Sequence, residues 1–317
     1  MNTERTSRAH SITHPHALLR ESINGIFAEK FANPAHHPAE REKTPQETML
    51  IEAINSRLEP FVEKYGGTYL PLTPDHYKLL SDTSKMSSDE KEALQMNVAA
   101  SGDEGQQLIK LYDANISNPL KFAHVIVHES IHFQSYGQVV IDQKRNRLRN
   151  PRRGLFIWVP GMEEELTSAL DEAITEELTM RFLETYAYEL PFLSNLLAKR
   201  KDIREQMRPI LGEDADDIAN ILLSDEKDDE SEVIAIEPNG YKPERVLFGD
   251  FSDAIVDQAS TSVASGDVFD VFARAYFTGD MRPSYELIKT TLGRNEFKRI
   301  FRWENRTLEE AKKKVLQ

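Results

Sequence analysis

The chain has 317 residues, of which 39 are basic and 53 acidic, so its formal net charge at pH 7 is −14. A surface with this excess of negative charge repels phosphate groups, which argues against nucleic-acid and membrane partners. The chain has no cysteine, which excludes disulfide bonds, a thiolate nucleophile and any metal site with cysteine ligands. A metal ion would therefore have to be held by His, Asp and Glu.

No targeting or membrane-spanning signal is evident in the sequence. No stretch has the roughly 18 to 20 apolar residues that a membrane-spanning helix needs. Residues 1–16 lack the apolar region of a secretory signal peptide. We therefore expect a soluble, cytoplasmic protein.

Three regions differ in composition along the chain. Residues 1–44 are polar, with five histidines and three prolines, and predict a flexible leader in which only residues 19–27 have helical spacing. Such a leader could inhibit the protein and keep it latent, or bind metal through its histidines. Residues 45–160 predict an N-terminal α/β subdomain, and residues 161–317 predict a helical C-terminal subdomain.

The spacing of apolar residues predicts short alternating elements in the N-terminal subdomain. The first helix is expected to end at Gly66-Gly67, and the last one to begin at Asn118-Pro119, which are typical helix-end and helix-start residues. The predicted elements are, in chain order, a helix at 47–62, a strand at 69–72, a helix at 87–99, a strand at 108–112 and a helix at 119–136.

Beyond Gly137 the pattern changes from a hairpin to helices. The predicted hairpin loop carries six basic residues between positions 144 and 153, and we expect it to be a solvated tip. Residues 213–232 hold ten acidic residues and one lysine, which predicts a surface excursion. The predicted elements are strands at 139–141 and 155–159, helices at 166–186 and 193–207, and three or four helices between 244 and 314.

The helix predicted at 119–136 contains the sequence His128-Glu129-Ser130-Ile131-His132, an HExxH motif. Residues four apart project from one face of a helix, so His128 and His132 can bind the same cation. Glu129 lies about 100° around the helix, where its carboxylate could act as a general base toward a water molecule. Two histidines on one helix face also occur without function, so the motif alone leaves a structural role open.

A zinc ion with two histidine ligands needs a third protein ligand, and a later segment offers one. This segment, Asp171-Glu172-Ala173-Ile174-Thr175-Glu176, lies in the next predicted helix. Together the two motifs resemble those of the gluzincin metallopeptidases, whose core is thermolysin-like. The hairpin predicted between them is similar to that of compact bacterial members known as minigluzincins.

The resemblance implies both a fold and a set of zinc ligands. The fold is α+β, with a small mixed sheet and the HExxH helix packed on a mainly helical C-terminal part. Zinc would be bound by His128, His132 and Glu172, while Glu176 would accept the N–H of His128 and fix its tautomer. His124, one turn before His128, is expected to support or line the site rather than to serve as a fourth ligand.

The resemblance also implies an electrophile, a tyrosine or histidine after the third ligand, that stabilises the oxyanion. No histidine follows His132, so a tyrosine is expected. Tyr241 is predicted for this role, with Arg245 one turn later to steady the substrate carbonyl. Tyr276 is the alternative, although its apolar neighbours are typical of a core helix.

These features predict a zinc-dependent metallopeptidase that acts on a peptide or protein substrate, with Glu129 as general base. The alternative is a catalytically inactive zinc-binding protein with a regulatory or scaffold role on the same fold. The intact Glu129 favours the enzyme, because an inactive relative has no need of this carboxylate.

Overall fold

The computed structural model describes a mixed α+β protein that is mostly helical and has small sheets. The described residues are 11–13, 17–96, 98–103, 106–116, 118–142, 147–157, 168–212, 215, 218–223, 233–238, 241–259 and 264–295. Among these residues, no helix has the length and apolar character that would be needed to cross a membrane.

The leader has more structure than its composition suggests. It forms a short strand, β1 (Ser11–Thr13), and a helix, α1 (Ala17–Ala32). Phe27 and Phe31 of α1 are buried, and the carbonyl oxygen of Phe31 lies 2.9 Å from Nε2 of His76. Of the apolar face predicted at residues 19–27, Phe27 is buried but Ile26 is exposed, and Phe27 and Phe31 dock α1 on the body.

The N-terminal subdomain begins with α2 (Pro45–Lys64), which starts at a capping box formed by Thr44 and Glu47. A mixed three-stranded sheet and helix α3 (Ser88–Gln95) follow. In this sheet the central strand β4 is parallel to β2 and antiparallel to β3. The strands are β2 (Tyr77–Leu80), β3 (Ala100–Asp103) and β4 (Leu108–Tyr112).

The strand predicted at residues 69–72 does not form. Leu70 is fully buried, but its backbone N–H and carbonyl bond to the side-chain amide of Gln134 at 2.8 and 2.7 Å. These bonds satisfy the backbone without a neighbouring strand. The sheet instead uses β2, which the sequence pattern did not predict.

Helix α4 (Pro119–Gln134) carries the HExxH motif, and residues at its N-terminus determine where it begins. Asn118 accepts hydrogen bonds from the N–H groups of Leu120 and Lys121, and Pro119 occupies the first helical position. Most of the helix is buried, and it packs against α2 and α5 (Ser168–Tyr186).

A second sheet follows α4, in the order β1, β5, β6, β7. The predicted pairing of residues 139–141 with 155–159 was wrong, because β5 (Gly137–Asp142) pairs with the basic segment β6 (Arg147–Arg153). The third strand, β7 (Phe156–Ile157), pairs with β6, and residues 158–159 lie outside the described part. The cation of Arg152 is accommodated by the Tyr136 ring, 5.0 Å away, and by the Gly279 carbonyl at 2.6 Å. Because these partners stabilise the charge of Arg152, this residue can lie in a strand and does not have to lie in a solvated loop.

The C-terminal part is mainly helical, as predicted, but contains one unpredicted hairpin. Its strands β8 (Ile218–Leu223) and β9 (Val233–Pro238) pair antiparallel. Residues 218–223 of the segment 213–232 therefore lie in a strand and include no acidic residue, while all ten acidic residues of this segment lie outside the described part. The helices are α6 (Ser194–Leu211), α7 (Lys242–Gln258), α8 (Ser265–Thr278) and α9 (Arg282–Thr291).

Candidate metal centre

The candidate site lies where α4 packs against α5. His128 and His132 lie one turn apart on α4, and both turn Nε2 toward Oε2 of Glu172 on α5. The distances from this oxygen are 3.4 Å to His128 and 3.1 Å to His132. One potential ligand atom from each of the three side chains lies within 4.8 Å of the others. The three residues predicted as ligands therefore converge on one point.

The burial of these side chains leaves the site open on one side. His128 and His132 are buried, whereas the side chain of Glu172 keeps 19% of its surface exposed. Glu129 is half-buried on the same helix as the two histidines. A mostly buried group of donors in which one ligand stays accessible to solvent is typical of sites that bind an ion and a second molecule.

The electrostatics of the site favour a cation. Burial opposes the charged form of His128, but hydrogen bonds to Glu172 and Glu176 outweigh it and raise the pKa of His128 to about 10. The pKa values of both carboxyls lie well below their usual range, because their histidine partners outweigh the effect of burial. A metal ion at this point would replace a proton that the same carboxylates already attract, so the donor set fits a divalent cation.

Glu176 holds the second ring nitrogen of His128, as the resemblance implied. Its Oε2 lies 3.0 Å from Nδ1 of His128 and 3.2 Å from Nε2 of His124. His124, His128 and Glu176 also form a second group with metal-binding spacing. A neutral imidazole has one nitrogen lone pair, so His128 can serve only one of the two groups at a time. His124 therefore supports Glu176 when His128 faces Glu172.

His132 is held differently, by residues that the sequence did not single out for this task. Its Nδ1 lies 3.2 Å from the hydroxyl of Tyr276, 3.4 Å from Oγ1 of Thr175 and 3.5 Å from Oδ2 of Asp171. Asp171 and Thr175 lie before and after Glu172 on α5. They are four residues apart, a spacing from which it could have been predicted that they share one face of the helix. The contact between Tyr276 and His132 depends on the packing of α8, and no pattern in the sequence predicted it.

Of the two candidate tyrosines, Tyr241 lies against the open part of the site. Its ring stacks on that of His128 with centroids 5.4 Å apart and an interplanar angle of 8°. Tyr241 is partly exposed, and partial burial raises the pKa of its phenol, which the charges of Glu172 and Glu129 raise further, so the phenol keeps its proton. Tyr276 is fully buried behind His132.

Arg245 is placed beside a carboxylate of α5. Its Nη2 lies 3.5 Å from Oε2 of Glu177, the residue after Glu176. The predicted contact between Arg245 and a substrate carbonyl would have to compete with this ion pair.

No family model, curated protein or solved structure matches the chain.

Proposed function

We propose that this protein is a zinc-dependent metallopeptidase of the gluzincin type. The observation that carries the proposal is the convergence of His128, His132 and Glu172 from two packed helices, with the carboxylate of Glu129 on the same helix as the histidines. Two imidazoles and one carboxylate are a common ligand set of catalytic zinc ions that retain an open position. The mixed sheet, the HExxH helix and the helical C-terminal part are compatible with this fold type.

The chemistry divides between the ion and the side chains around it. A zinc ion held by His128, His132 and Glu172 would supply Lewis acidity toward the scissile carbonyl and toward a water molecule. The carboxylate of Glu129 takes the proton of the attacking water and returns it to the leaving amine. The phenol of Tyr241, which keeps its proton, donates a hydrogen bond to the oxygen that becomes negative.

The test is release of fragments from a peptide library by the zinc-loaded protein, with and without a chelator. We expect the chelator to abolish cleavage. We expect Glu129→Gln to retain the metal but to lose turnover, because an amide cannot accept the proton of the water. The matched control is Glu52→Gln, an exposed glutamate on α2, which should leave activity unchanged.

Two results would count against the proposal. Full activity of Glu129→Gln would show that this carboxylate is not the base. Stoichiometric zinc binding by a wild-type chain that cleaves no peptide would favour the alternative, a zinc-binding regulatory or scaffold protein.

A further inference from the structure

The ring of His132 makes contacts at both nitrogens. At Nδ1 the neighbouring hydrogen bonds determine whether the nitrogen donates or accepts. Nε2 points to Glu172, and Nδ1 points to a fully buried group that includes Tyr276 and Thr175. A histidine can offer a lone pair to a metal at Nε2 only if its proton resides on Nδ1. What lies around Nδ1 therefore decides whether His132 can be a ligand.

One order of donors and acceptors satisfies all the hydrogen bonds of this group together. Thr175 donates its hydroxyl proton to the backbone carbonyl of Asp171 at 2.7 Å, so its Oγ1 is left as an acceptor. Tyr276, 2.8 Å from this oxygen, must then donate its own proton to Thr175. The oxygen of Tyr276 is left as an acceptor toward Nδ1 of His132, which must carry the proton.

The neighbouring carboxylate does not provide this bond. Oδ1 of Asp171 accepts from the N–H groups of Leu155 and Phe156 at 2.7 and 3.3 Å. Its Oδ2 lies 3.5 Å from Nδ1 of His132 and makes no hydrogen bond within the described part of the chain. Asp171 anchors the end of the hairpin, and the hydroxyl of Tyr276 is the closer partner of His132.

The ring of Tyr276 is fixed from two further directions. Gly154, whose φ is +55°, lies so close that a Cβ at this position would overlap the Tyr276 ring and Oδ1 of Asp171. The carbonyl of Tyr276 accepts the N–H of Tyr136, four residues after His132, at 2.9 Å. The hydroxyl is thus held relative to His132 by backbone contacts on both sides.

We propose that Tyr276 is a positioning residue for His132: its hydroxyl, oriented by Thr175, keeps the ring proton on Nδ1, so that Nε2 presents its lone pair to the metal. The inference rests on the proposed function in that the ion is the zinc of that site. It assigns Tyr276 a role different from the oxyanion-stabilising role considered from the sequence.

Tyr276→Phe tests the proposal directly, because it removes only the hydroxyl. We expect zinc affinity, measured by competition with a chromogenic chelator, to fall by about tenfold to a hundredfold. Histidine-ring ¹⁵N spectra of the zinc-loaded protein should show changed signals for one ring. Tyr77→Phe is the matched control, since Tyr77 is also fully buried and its hydroxyl bonds to Asn55 and Ser130 at 2.8 and 2.7 Å.

A pair of substitutions at Thr175 provides a test that does not depend on the stability of the Tyr276 variant. Thr175→Val keeps the side-chain shape but removes the acceptor, so the Tyr276 hydroxyl is free to donate to Nδ1 and to favour the wrong tautomer. Thr175→Ser keeps the hydroxyl. We expect Thr175→Val to lose zinc affinity as Tyr276→Phe does, and Thr175→Ser to retain it.

These measurements separate the inference from the proposed function, since neither needs peptidase activity. Wild-type zinc affinity and unchanged ring signals in folded Tyr276→Phe and Thr175→Val would overturn the positioning role. Loss of zinc affinity in these variants, combined with a wild-type chain that cleaves no peptide, would support the positioning role and contradict the peptidase.

Discussion

At the scale of single residues, Tyr241 combines a strained backbone with a position over a metal-ligand candidate. Its φ is +52°, in the left-handed region that costs a residue other than glycine about 1 kcal/mol or more. It stands immediately before α7, and its ring lies flat on that of His128. Strain of this kind persists where the surroundings enforce it, and it is concentrated at functional sites.

Tyr241→Phe should therefore reduce catalysis and leave the site otherwise intact. We expect kcat to fall by about a hundredfold, because one hydrogen-bond donor to the oxyanion is lost. We expect KM and zinc affinity to stay near the wild-type values, since the phenyl ring can still stack on His128. The measurement is steady-state kinetics on the best library peptide, with Tyr188→Phe at an exposed tyrosine as control. An unchanged kcat would exclude Tyr241 as the electrophile.

At the scale of elements, a buried set of charges joins the leader, α3 and the mixed sheet. Glu90 of α3 contacts Nζ of Lys110 on β4 at 2.7 Å and Nε2 of His37 at 3.2 Å. It also accepts the N–H of Ser87 at 2.9 Å. Burial opposes the charged form of Glu90, but Lys110 and the Ser87 N–H outweigh it and lower the pKa of Glu90 to about 2. The ionised carboxylate therefore stabilises the fold.

Glu90→Gln should destabilise the protein at neutral pH, by about 1 to 3 kcal/mol for a lost charged hydrogen-bond partner. Because the pKa of Glu90 is lower in the folded state, its contribution is present above the unfolded value of 4.5 and is lost as pH falls toward about 2. Urea denaturation of both proteins should thus show a difference at neutral pH that shrinks in acid. Glu92→Gln, exposed on the same helix, is the control. A difference independent of pH would contradict the role of the charge.

The elements that the sequence predicted best are those whose ends are determined locally. Asn118 and Thr44 cap α4 and α2 through bonds to the next few residues, and these bonds can be anticipated from the residue types. Strand β2 is buried at all four positions, so it lacks the alternation that marks a strand. The missing strand at 69–72 depends on Gln134, and the hairpin register depends on partners of Arg152 such as Gly279. Such distant partners are invisible in a single sequence.

The same distinction applies to the candidate site. Helical spacing predicted that His128 and His132 lie on one face of α4, whereas Glu172 was expected as their partner from the resemblance of its segment to the gluzincin motif. The support of His132 by Tyr276 requires the packing of α8 behind α4, which no local pattern encodes. The sequence therefore predicted the residues that face the metal, but it did not predict the contacts that hold His132 in place.

At the scale of the whole molecule, the net charge of −14 is distributed unevenly. Residues 213–232 contribute ten acidic residues and one lysine, so most of the excess belongs to one segment. The remaining chain is closer to neutral. The overall charge thus says less about partners than its size suggests.

The leader, residues 1–44, is the segment that was expected to inhibit the protein, and its contacts suggest how to test this. Strand β1 pairs in parallel with β5, with Ser11 opposite Gln138, and β5 directly follows the HExxH helix. Phe31, by contrast, belongs to the main core, so removal of all of residues 1–44 would expose apolar surface. A chain that begins at Ala17 removes β1 and keeps α1.

If β1 restrains the region next to the site, we expect this shortened chain to cleave peptides faster than the full chain. Its zinc affinity and thermal stability should be unchanged. Ile12→Pro in the full chain should give the same gain, because proline lacks the N–H that a strand donates. The comparison requires kcat and KM for the three proteins on one peptide. Equal rates would show that β1 is a structural extension of the sheet and that the leader does not inhibit, whereas a gain confined to KM would mean that β1 occupies part of the substrate path.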